Sequence, residues 1–433
     1  MGLGPIRAFL HSELRGDTER GRMVRSAGVT SALKVAATLI AFGASLLYAR
    51  ALGPHDYGLY AYVFAWAALL TIPAGLGLPS YLTREASKAP PSTSWLRRWA
   101  DGRVLVAGAI ASVVLGCAYF VPQAAGARWL FVIAAPLPLL NNLSHVRRSL
   151  LQARGWVARG QWPSLVLAPA LVLVGLVAWW RTGHTLAPAE VMGAMTVAAL
   201  VPLFLNHLQL ERVAPISESR PDTSIRLRSA LPFMWLGGLY LLSSRVDLIM
   251  LGTIRGGHAA GIYAVSARAA ELVTFFLAAS NMVIAPRIAR LHHDGSTRSL
   301  QRLLTASALR VFLLSLPVAL VFIVLGRLLL AELYGPAYAD GAVALRILAG
   351  AQLVNVLAGS TGTILNMTGH ERLTMWGVGL SVAVNVMLNA ILIPRLGVEG
   401  AAIASGVSLA GWNVILWYWV RKRLRLRSSA LNL

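Results

Sequence analysis

Residues 244–271 read SRVDLIMLGTIRGGHAAGIYAVSARAAE, and the expected fold follows from this stretch. Two apolar helical segments are joined by a glycine-rich turn, and four ionisable residues lie inside the apolar segments: Arg245, Asp247, Arg268 and Glu271. A charge near the centre of a bilayer costs about 2.5 to 3.5 kcal/mol, so such residues face a wet cavity or one another. The stretch therefore predicts two membrane-spanning helices whose charged side chains are turned away from lipid.

These charges can be paired in two ways. Arg268 and Glu271 are three residues apart and share one helical face, whereas Arg245 and Asp247 lie about 200° apart. A turn at 252–260 would bring Asp247 and Arg268 to similar depths, about 8 and 12 Å below the outer surface at 1.5 Å per residue, so a pair between the helices is the alternative. Two interpretations stay open: ion pairs that only stabilise the helices, and ion pairs that line a substrate cavity.

The composition is that of a polytopic membrane protein. The 433 residues are 57% hydrophobic and only 13% charged, with a mean hydropathy of +0.64, which excludes an ordinary soluble globule. The net charge of +22 does not indicate nucleic-acid binding, because the basic residues cluster at alternate ends of apolar segments. The single cysteine, Cys117, excludes a disulfide framework, and no motif predicts a metal site or a cofactor.

Twelve apolar segments are long enough to cross a membrane, since a crossing needs about 20 residues. They are predicted at 27–49, 58–79, 103–121, 127–144, 162–180, 187–206, 230–251, 260–284, 306–326, 341–367, 373–393 and 400–420. Each predicted outer loop holds one arginine, whereas most of the other basic residues lie in the remaining loops and at the two ends of the chain. The positive-inside rule therefore predicts that both termini are cytoplasmic.

The chain contains an internal repeat. LGPHDYGLYA at 52–61 matches RGGHAAGIYA at 255–264, with the glycines, histidine, tyrosine and alanine at a constant offset. An even number of helices separates the copies, so the halves have the same orientation, and transporters of this plan bind substrate near the midplane between them. The predicted fold is an all-α membrane protein of two six-helix bundles around a central cavity, with these regions: a cytoplasmic amino-terminal tail 1–26, an N-terminal bundle 27–206, a cytoplasmic linker 207–229, a C-terminal bundle 230–420 and a basic tail 421–433.

Polar residues recur at helical spacing inside the apolar segments. They serve either as contacts between helices or as the lining of a cavity. Lys34 favours a cavity, because the nearest carboxylates of its own bundle, Asp101 and Glu190, lie only at the edges of spans. The candidate residues of the substrate cavity are Lys34, Thr38, Arg245, Arg268, Gln352, Asn355, Asn366, Asn385 and Asn389, and the candidates for ion coupling are Asp247 and Glu271.

No enzyme signature accompanies these residues. The sequence contains no phosphate-binding glycine loop, paired-histidine metal motif or nucleophile elbow. The predicted outer loops are short, and their acidic residues are scattered among separate connections. Catalysis is therefore not expected.

Seven motifs in order resemble the polysaccharide-transport branch of the multidrug/oligosaccharidyl-lipid/polysaccharide exporter superfamily, the Wzx-like O-antigen flippases. They are LGPHDYGLYA at 52–61, GLGLPSYLTREA at 75–86, LPFMW at 231–235, RVDLIMLG at 245–252, GIYAVSAR at 261–268, LYGPAY at 333–338 and LGVEGAAIAS at 396–405. The resemblance implies alternating access and movement of undecaprenyl-diphosphate-linked oligosaccharide across the bacterial inner membrane, for lipopolysaccharide and other surface polysaccharides. It also implies membrane lipids, a polysaccharide polymerase and glycosyltransferases as candidate partners, and it implies no catalytic residues.

The chemistry of the candidate residues suits that substrate. Lys34 with Arg245 or Arg268 would neutralise a diphosphate, while amide and hydroxyl side chains would replace the hydration of the sugar. A cation-coupled drug or metabolite exporter of the same superfamily is the first alternative. A membrane scaffold for polysaccharide assembly that transports nothing is the second, and it requires that the intramembrane charges be fully paired.

Overall fold

The computed structural model describes residues 19–88, 93–121, 126–213 and 227–431. Residues 1–18 of the predicted amino-terminal tail and 214–226 of the predicted linker lie outside the described residues. Throughout the described ranges the regular structure is helical and contains no strand. The prediction of an all-helical polytopic membrane protein is confirmed.

The α-helices are numbered in chain order. They are α1 Glu19–Gly75, α2 Leu78–Lys88, α3 Thr93–Cys117, α4 Arg128–Ala134, α5 Leu137–Ala153, α6 Val157–Trp162, α7 Ala168–Arg181, α8 Pro188–Ala198, α9 Leu200–Val213, α10 Leu231–Glu271, α11 Phe275–His293, α12 Thr297–Tyr334, α13 Ala342–Ala358, α14 Thr361–Met367 and α15 Glu371–Trp419. A π-helical turn, Pro163–Leu167, joins α6 to α7, and a second, Val420–Leu424, follows α15.

Nine helical stretches within the described ranges are long and apolar enough to cross a membrane. They are Gly28–Gly75, Trp95–Phe120, Arg128–Ala153, Val157–Arg181, Pro188–Arg212, Leu227–His293, Thr297–Tyr334, Pro336–Ala358 and Glu371–Leu424. Twelve separate segments were expected from hydropathy. The difference arises because three of the stretches, of 48, 67 and 54 residues, each contain two of the predicted segments.

A single glycine interrupts each of these three long stretches. The φ angle is 73° at Gly53, 82° at Gly256 and 57° at Gly397, whereas the residues on either side stay helical. The loops predicted at these positions are therefore reduced to one residue, in a backbone conformation that other residues adopt only with strain. Hydropathy locates the end of an apolar segment but does not reveal how little chain a reversal needs.

Two predicted segments are themselves broken. The segment at 127–144 is divided between α4 and α5 next to Pro136, and α5 continues beyond it to Ala153. The segment at 341–367 is divided between α13 and α14 at Gly359, where φ is 77°. These breaks follow from a proline ring in the first case and from a left-handed glycine in the second.

The two copies of the repeat cross where α1 packs along α10. A Cβ atom on Gly58 would collide with the carbonyl oxygen of Gly257, and one on Gly261 would collide with the carbonyl oxygen of Pro54. Gly58 corresponds to Gly261 in the repeat, and Pro54 corresponds to Gly257. The crossing is thus the same contact made twice, and only residues without a side chain allow the backbones to approach so closely.

Candidate functional site

A polar cavity of about 300 Å³ lies among α10, α13 and α15. Hydroxyl, amide and carboxylate side chains line it together with aromatic rings. These residues recur at helical spacing, so each helix turns one polar face inward. The lining residues that carry polar groups are Tyr240, Ser243, Ser244, Asp247, Tyr263, Glu271, Gln352, Asn355, Ser381, Asn385, Ser405, Ser408 and Trp412.

The carboxylate of Asp247 is the buried charge of this cavity, with 7% of the residue exposed. Its Oδ1 accepts a hydrogen bond from Nδ2 of Asn389 at 2.6 Å. Its Oδ2 accepts from the hydroxyl groups of Ser405 at 2.5 Å and Tyr263 at 3.1 Å. Among the described residues no cationic side chain forms an ion pair with it, so neutral donors alone stabilise the carboxylate.

Two amide side chains continue the hydrogen-bond network of Asp247. The Nδ2 of Asn389 also donates to Oδ1 of Asn385 at 2.9 Å, and Asn389 is fully buried. The Oδ1 of Asn389 has no hydrogen-bond partner in the part of the chain that the structure describes. A buried carbonyl oxygen without a donor, next to a carboxylate without a cation, suits a proton or a small cation bound by oxygen.

A second cavity, of about 230 Å³, lies between α1 and α10. Thr38 and Phe42 of α1 line one side, and Arg268 and Glu271 of α10 line the other. The Nη1 of Arg268 is 2.8 Å from Oε2 of Glu271, and the two side chains are 33% and 56% exposed. Glu271 also lines the polar cavity, so the two cavities meet at this ion pair. The pair is partly exposed and lines this cavity, so its guanidinium is accessible to a ligand.

The structure shows which of the two pairings allowed by the sequence is formed. Arg268 pairs with Glu271 on its own helix, and Asp247 has separate partners on α15 and beyond the break at Gly256. An Asp247–Arg268 pair is not formed among the described residues. The reason is direction, because Asp247 faces α15 whereas Arg268 faces the cavity beside α1.

Arg245 lies two residues before Asp247 and faces elsewhere. It is half-buried, and its Nε atom has no hydrogen-bond partner within the described ranges. It lies within electrostatic range of Tyr57 and Tyr60 of α1. It lines neither cavity.

Of the remaining candidate residues, some line the polar cavity and others do not. Gln352 and Asn355 line the polar cavity and hydrogen-bond each other at 3.2 Å. Asn366 is exposed on α14 and lines neither cavity. Lys34 is exposed and lines neither cavity, but its carbonyl oxygen accepts a hydrogen bond at 3.0 Å from Thr38, which does.

Sequence reasoning missed two partners of the carboxylate, Ser405 and Tyr263. Both stand in motifs that carry the family resemblance, LGVEGAAIAS and GIYAVSAR. Spacing alone could not select them, because Ser405 approaches Asp247 only after α15 reverses at Gly397. The motif positions were therefore the only available signal.

Comparisons with known proteins identify the family of this chain. A family model described as polysaccharide biosynthesis protein matches residues 23–292. The probable flippase AglR of Haloferax volcanii is 27% identical over 229 residues, covering 52% of this chain and 47% of the relative. The probable low-salt glycan biosynthesis flippase Agl15 of the same organism is 25% identical over 178 residues, covering 40% and 37%. The alignments thus span less than half the length of these relatives.

Solved structures share the fold. An inward-facing multidrug resistance MATE family transporter of the MOP superfamily has a TM-score of 0.69 at 15% identity, covering 90% of this chain and 94% of that chain. The lipid II flippase MurJ, in an inward closed conformation, has a TM-score of 0.69 at 14% identity, covering 92% and 87%. Likeness at these identities establishes the fold.

Proposed function

Since this chain belongs to the polysaccharide biosynthesis protein family, we propose that it is a flippase for a lipid-linked oligosaccharide. It moves undecaprenyl-diphosphate-linked oligosaccharide from the cytoplasmic to the outer leaflet of a bacterial inner membrane by alternating access, for lipopolysaccharide, O-antigen or a related polysaccharide. The observation that carries the proposal is the meeting of two cavities at the Arg268–Glu271 pair. A cationic group beside a hydroxyl- and amide-rich cavity matches a diphosphate joined to a sugar.

The architecture proposed for this activity has twelve crossings in two bundles. Each of the three longest stretches can cross twice, because even the 48-residue stretch rises about 72 Å at 1.5 Å per residue, against a hydrocarbon core of about 30 Å. The crossing of the repeat copies at Gly58 and Gly261 supports a local two-fold relation between the halves. Both termini are then cytoplasmic, and the basic loops face the cytoplasm.

The three cationic candidates have different roles in this proposal. Arg268 binds the diphosphate, because it lines a cavity and its ion-pair partner within the described residues, Glu271, is an exposed carboxylate. Lys34 lies one turn from Thr38 and attracts the head group at the entrance. Arg245, which lies near α1, adds a further positive charge for the diphosphate. The amides of Gln352, Asn355 and Asn366 contact the sugar.

Asp247 is the proposed coupling residue. Its neutral partners leave a net charge that a proton or Na⁺ would cancel, and the free oxygen of Asn389 would be a further ligand. Glu271 is the second candidate, because its protonation would release Arg268 to bind the diphosphate. Both residues line the polar cavity, so ion binding and substrate binding would be adjacent.

The decisive test measures export of surface polysaccharide and the leaflet accessibility of the lipid-linked precursor. A deletion strain with no redundant flippase is complemented with wild type, Arg268→Ala, Arg268→Lys or Arg310→Ala at equal membrane abundance. Loss of a charge-assisted hydrogen bond should lower export about tenfold or more in Arg268→Ala. Arg268→Lys should retain part of the activity, and Arg310→Ala should match wild type because this exposed arginine lines neither cavity.

The alternatives predict other outcomes. If the precursor reaches the outer leaflet normally in the deletion strain, the protein does not flip it. Efflux of cationic dyes that requires Asp247 would then favour a drug exporter, since that residue offers a carboxylate to a cation. Normal export by every charge variant, with export lost in the deletion strain, would favour a scaffold.

A further inference from the structure

The segment 426–430 folds back onto the helices instead of leaving the bundle. The chain turns at Arg425, where φ is 55° and ψ is 29°. Leu426, Ser428 and Ala430 are then 2%, 1% and 6% exposed. The sequence predicts a basic cytoplasmic tail at 421–433, and within it these three residues are as buried as the core, whereas Arg427 is exposed.

Hydrogen bonds tie the segment to α12. The Nε2 of Gln301 donates to the carbonyl oxygen of Arg427 at 2.8 Å, and the backbone N–H of Arg427 donates to Oε1 of the same glutamine at 2.8 Å. One side-chain amide thus satisfies both backbone groups of Arg427. This reciprocal pair fixes the segment in one register, because shifting it by one residue would break both bonds.

The segment also reaches the break between α13 and α14. The carbonyl oxygen of Ser428 occupies the place where a side chain on Gly359 would stand. The backbone N–H of Ala430 donates to the carbonyl oxygen of Leu357 at 2.9 Å. Because α13 ends at Ala358, the carbonyl groups of its last turn lack partners within the helix, and the segment supplies one.

Such a break needs support. The 17 residues of α13 rise only about 25 Å, less than the roughly 30 Å of a hydrocarbon core, so a helix of this length that begins at one boundary ends inside the other. Irregular backbone at that depth is tolerated where protein satisfies it. The buried segment 426–430 provides that protein contact.

The break is one helical turn from the polar cavity. Asn355 stands four residues before Gly359, Gln352 stands seven residues before it, and both line the cavity. Since α13 does not continue through the break, its rotation and depth depend on what holds its end. We propose that residues 426–430 are a strap that positions α13 and thereby presents Gln352 and Asn355 to the cavity; its effect on transport rests on the proposed function.

The test measures the accessibility of the cavity directly. In a Cys117→Ser background, Asn355→Cys is labelled with a membrane-impermeant thiol reagent, and Ser244→Cys on α10 serves as the reference position in the same cavity. Gln301→Ala removes both hydrogen bonds to Arg427, and Arg298→Ala, an exposed residue of the same helix, is the matched control. A chain that ends at Arg425 removes the strap entirely, with folding verified by size-exclusion chromatography.

We expect Gln301→Ala and the shortened chain to change the labelling rate at position 355 several-fold, since each lost hydrogen bond is worth a factor of about 2 to 12 in an equilibrium constant. The rate at position 244 should stay constant, and Arg298→Ala should match wild type. Unchanged labelling at position 355 in a folded Gln301→Ala protein overturns the proposal. Equal changes at both positions also overturn it, because they indicate a general loss of packing.

A locked strap provides the complementary measurement. A disulfide between Gln301→Cys and Arg427→Cys should keep labelling and export near wild type, because the strap acts by staying in place. Loss of export that returns on reduction would mean that the strap must be released, which contradicts a fixed positioning role. Labelling does not require the substrate, so it tests the strap even if the flippase proposal fails, and Arg268→Ala tests the flippase even if the strap fails.

Discussion

At the scale of residues, corresponding positions in the two halves of the repeat carry side chains of different chemistry. Ala44 stands at the position that corresponds to Asp247, and Tyr60 corresponds to Tyr263. In the first half the hydroxyl of Tyr60 lies 3.0 Å from the sulfur of Met195, whereas in the second half the hydroxyl of Tyr263 donates to the carboxylate. The candidate ion site therefore belongs to one half only.

Asp247→Asn separates charge from shape at this site. The amide keeps the volume of the side chain but removes the negative charge that Asn389, Ser405 and Tyr263 stabilise. We expect flipping in proteoliposomes to lose its dependence on a Na⁺ or proton gradient. Ser405→Ala, which removes one hydrogen bond to the carboxylate, should retain the dependence and lower stability by about 1.5 to 3 kcal/mol. A gradient dependence that survives in Asp247→Asn would remove this residue from the coupling role.

At the scale of elements, glycines decide how the helices meet. Gly58 and Gly261 allow α1 and α10 to cross, and the breaks at Gly53 and Gly256 reverse the chain at corresponding places in the two repeats. Glycine thus allows the close approach of the helices at Gly58 and Gly261, and it allows the left-handed backbone conformation at Gly53 and Gly256. Hydrophobic burial cannot replace either property, because both concern the backbone.

Substitution at the crossing should have equal effects on the two halves. Gly58→Ala and Gly261→Ala each place a methyl group against a backbone carbonyl, so we expect each to destabilise the protein by about 1 to 3 kcal/mol or more. Gly43→Ala is the matched control, because a Cβ there meets nothing within 4 Å and alanine favours a helix. Thermal unfolding in detergent measures the difference. Unequal losses at positions 58 and 261 would refute the local symmetry of the contact.

At the scale of the whole molecule, the halves are closed at the end that holds the repeat turns. The hydroxyl of Tyr338 donates to the carbonyl oxygen of Ala49 at 2.9 Å, and Arg50 donates to the carbonyl oxygen of Glu332. The hydroxyls of Tyr62 and Thr253 lie 3.1 Å apart. These contacts join the two halves of the chain, so a cavity between the halves could open at this end only if they break.

Cross-linking tests that requirement. In a Cys117→Ser background, Tyr62→Cys and Thr253→Cys are bridged with a short, reducible thiol reagent. We expect the bridge to stop flipping and a reductant to restore it, because alternating access requires this end to part. Each single cysteine variant treated with the reagent is the control. Full transport by the bridged protein would exclude opening between these two helices.

Much of the fold could be predicted from the sequence. Long apolar segments need a bilayer, the charges of SRVDLIMLG and VSARAAE must face inward, and the offset between LGPHDYGLYA and RGGHAAGIYA relates the halves. The predicted resemblance to the polysaccharide-transport branch is confirmed by the family match and the shared fold. These features are local or periodic, so they can be recognised in a single amino-acid sequence.

The pairing of the charges was decided only in three dimensions. Spacing allowed Arg268 to pair with Glu271 or with Asp247. It also made Lys34 and Thr38 equal candidates for the substrate cavity, yet of these two residues only Thr38 lines the cavity between α1 and α10. Ser405 reaches Asp247, and Gln301 reaches Arg427, across more than a hundred residues of chain. By itself the sequence determined which residues cannot face lipid. The tertiary structure decided which of them meet, because a hydrogen bond depends on distances of a few ångströms between helices whose contacts no local pattern encodes.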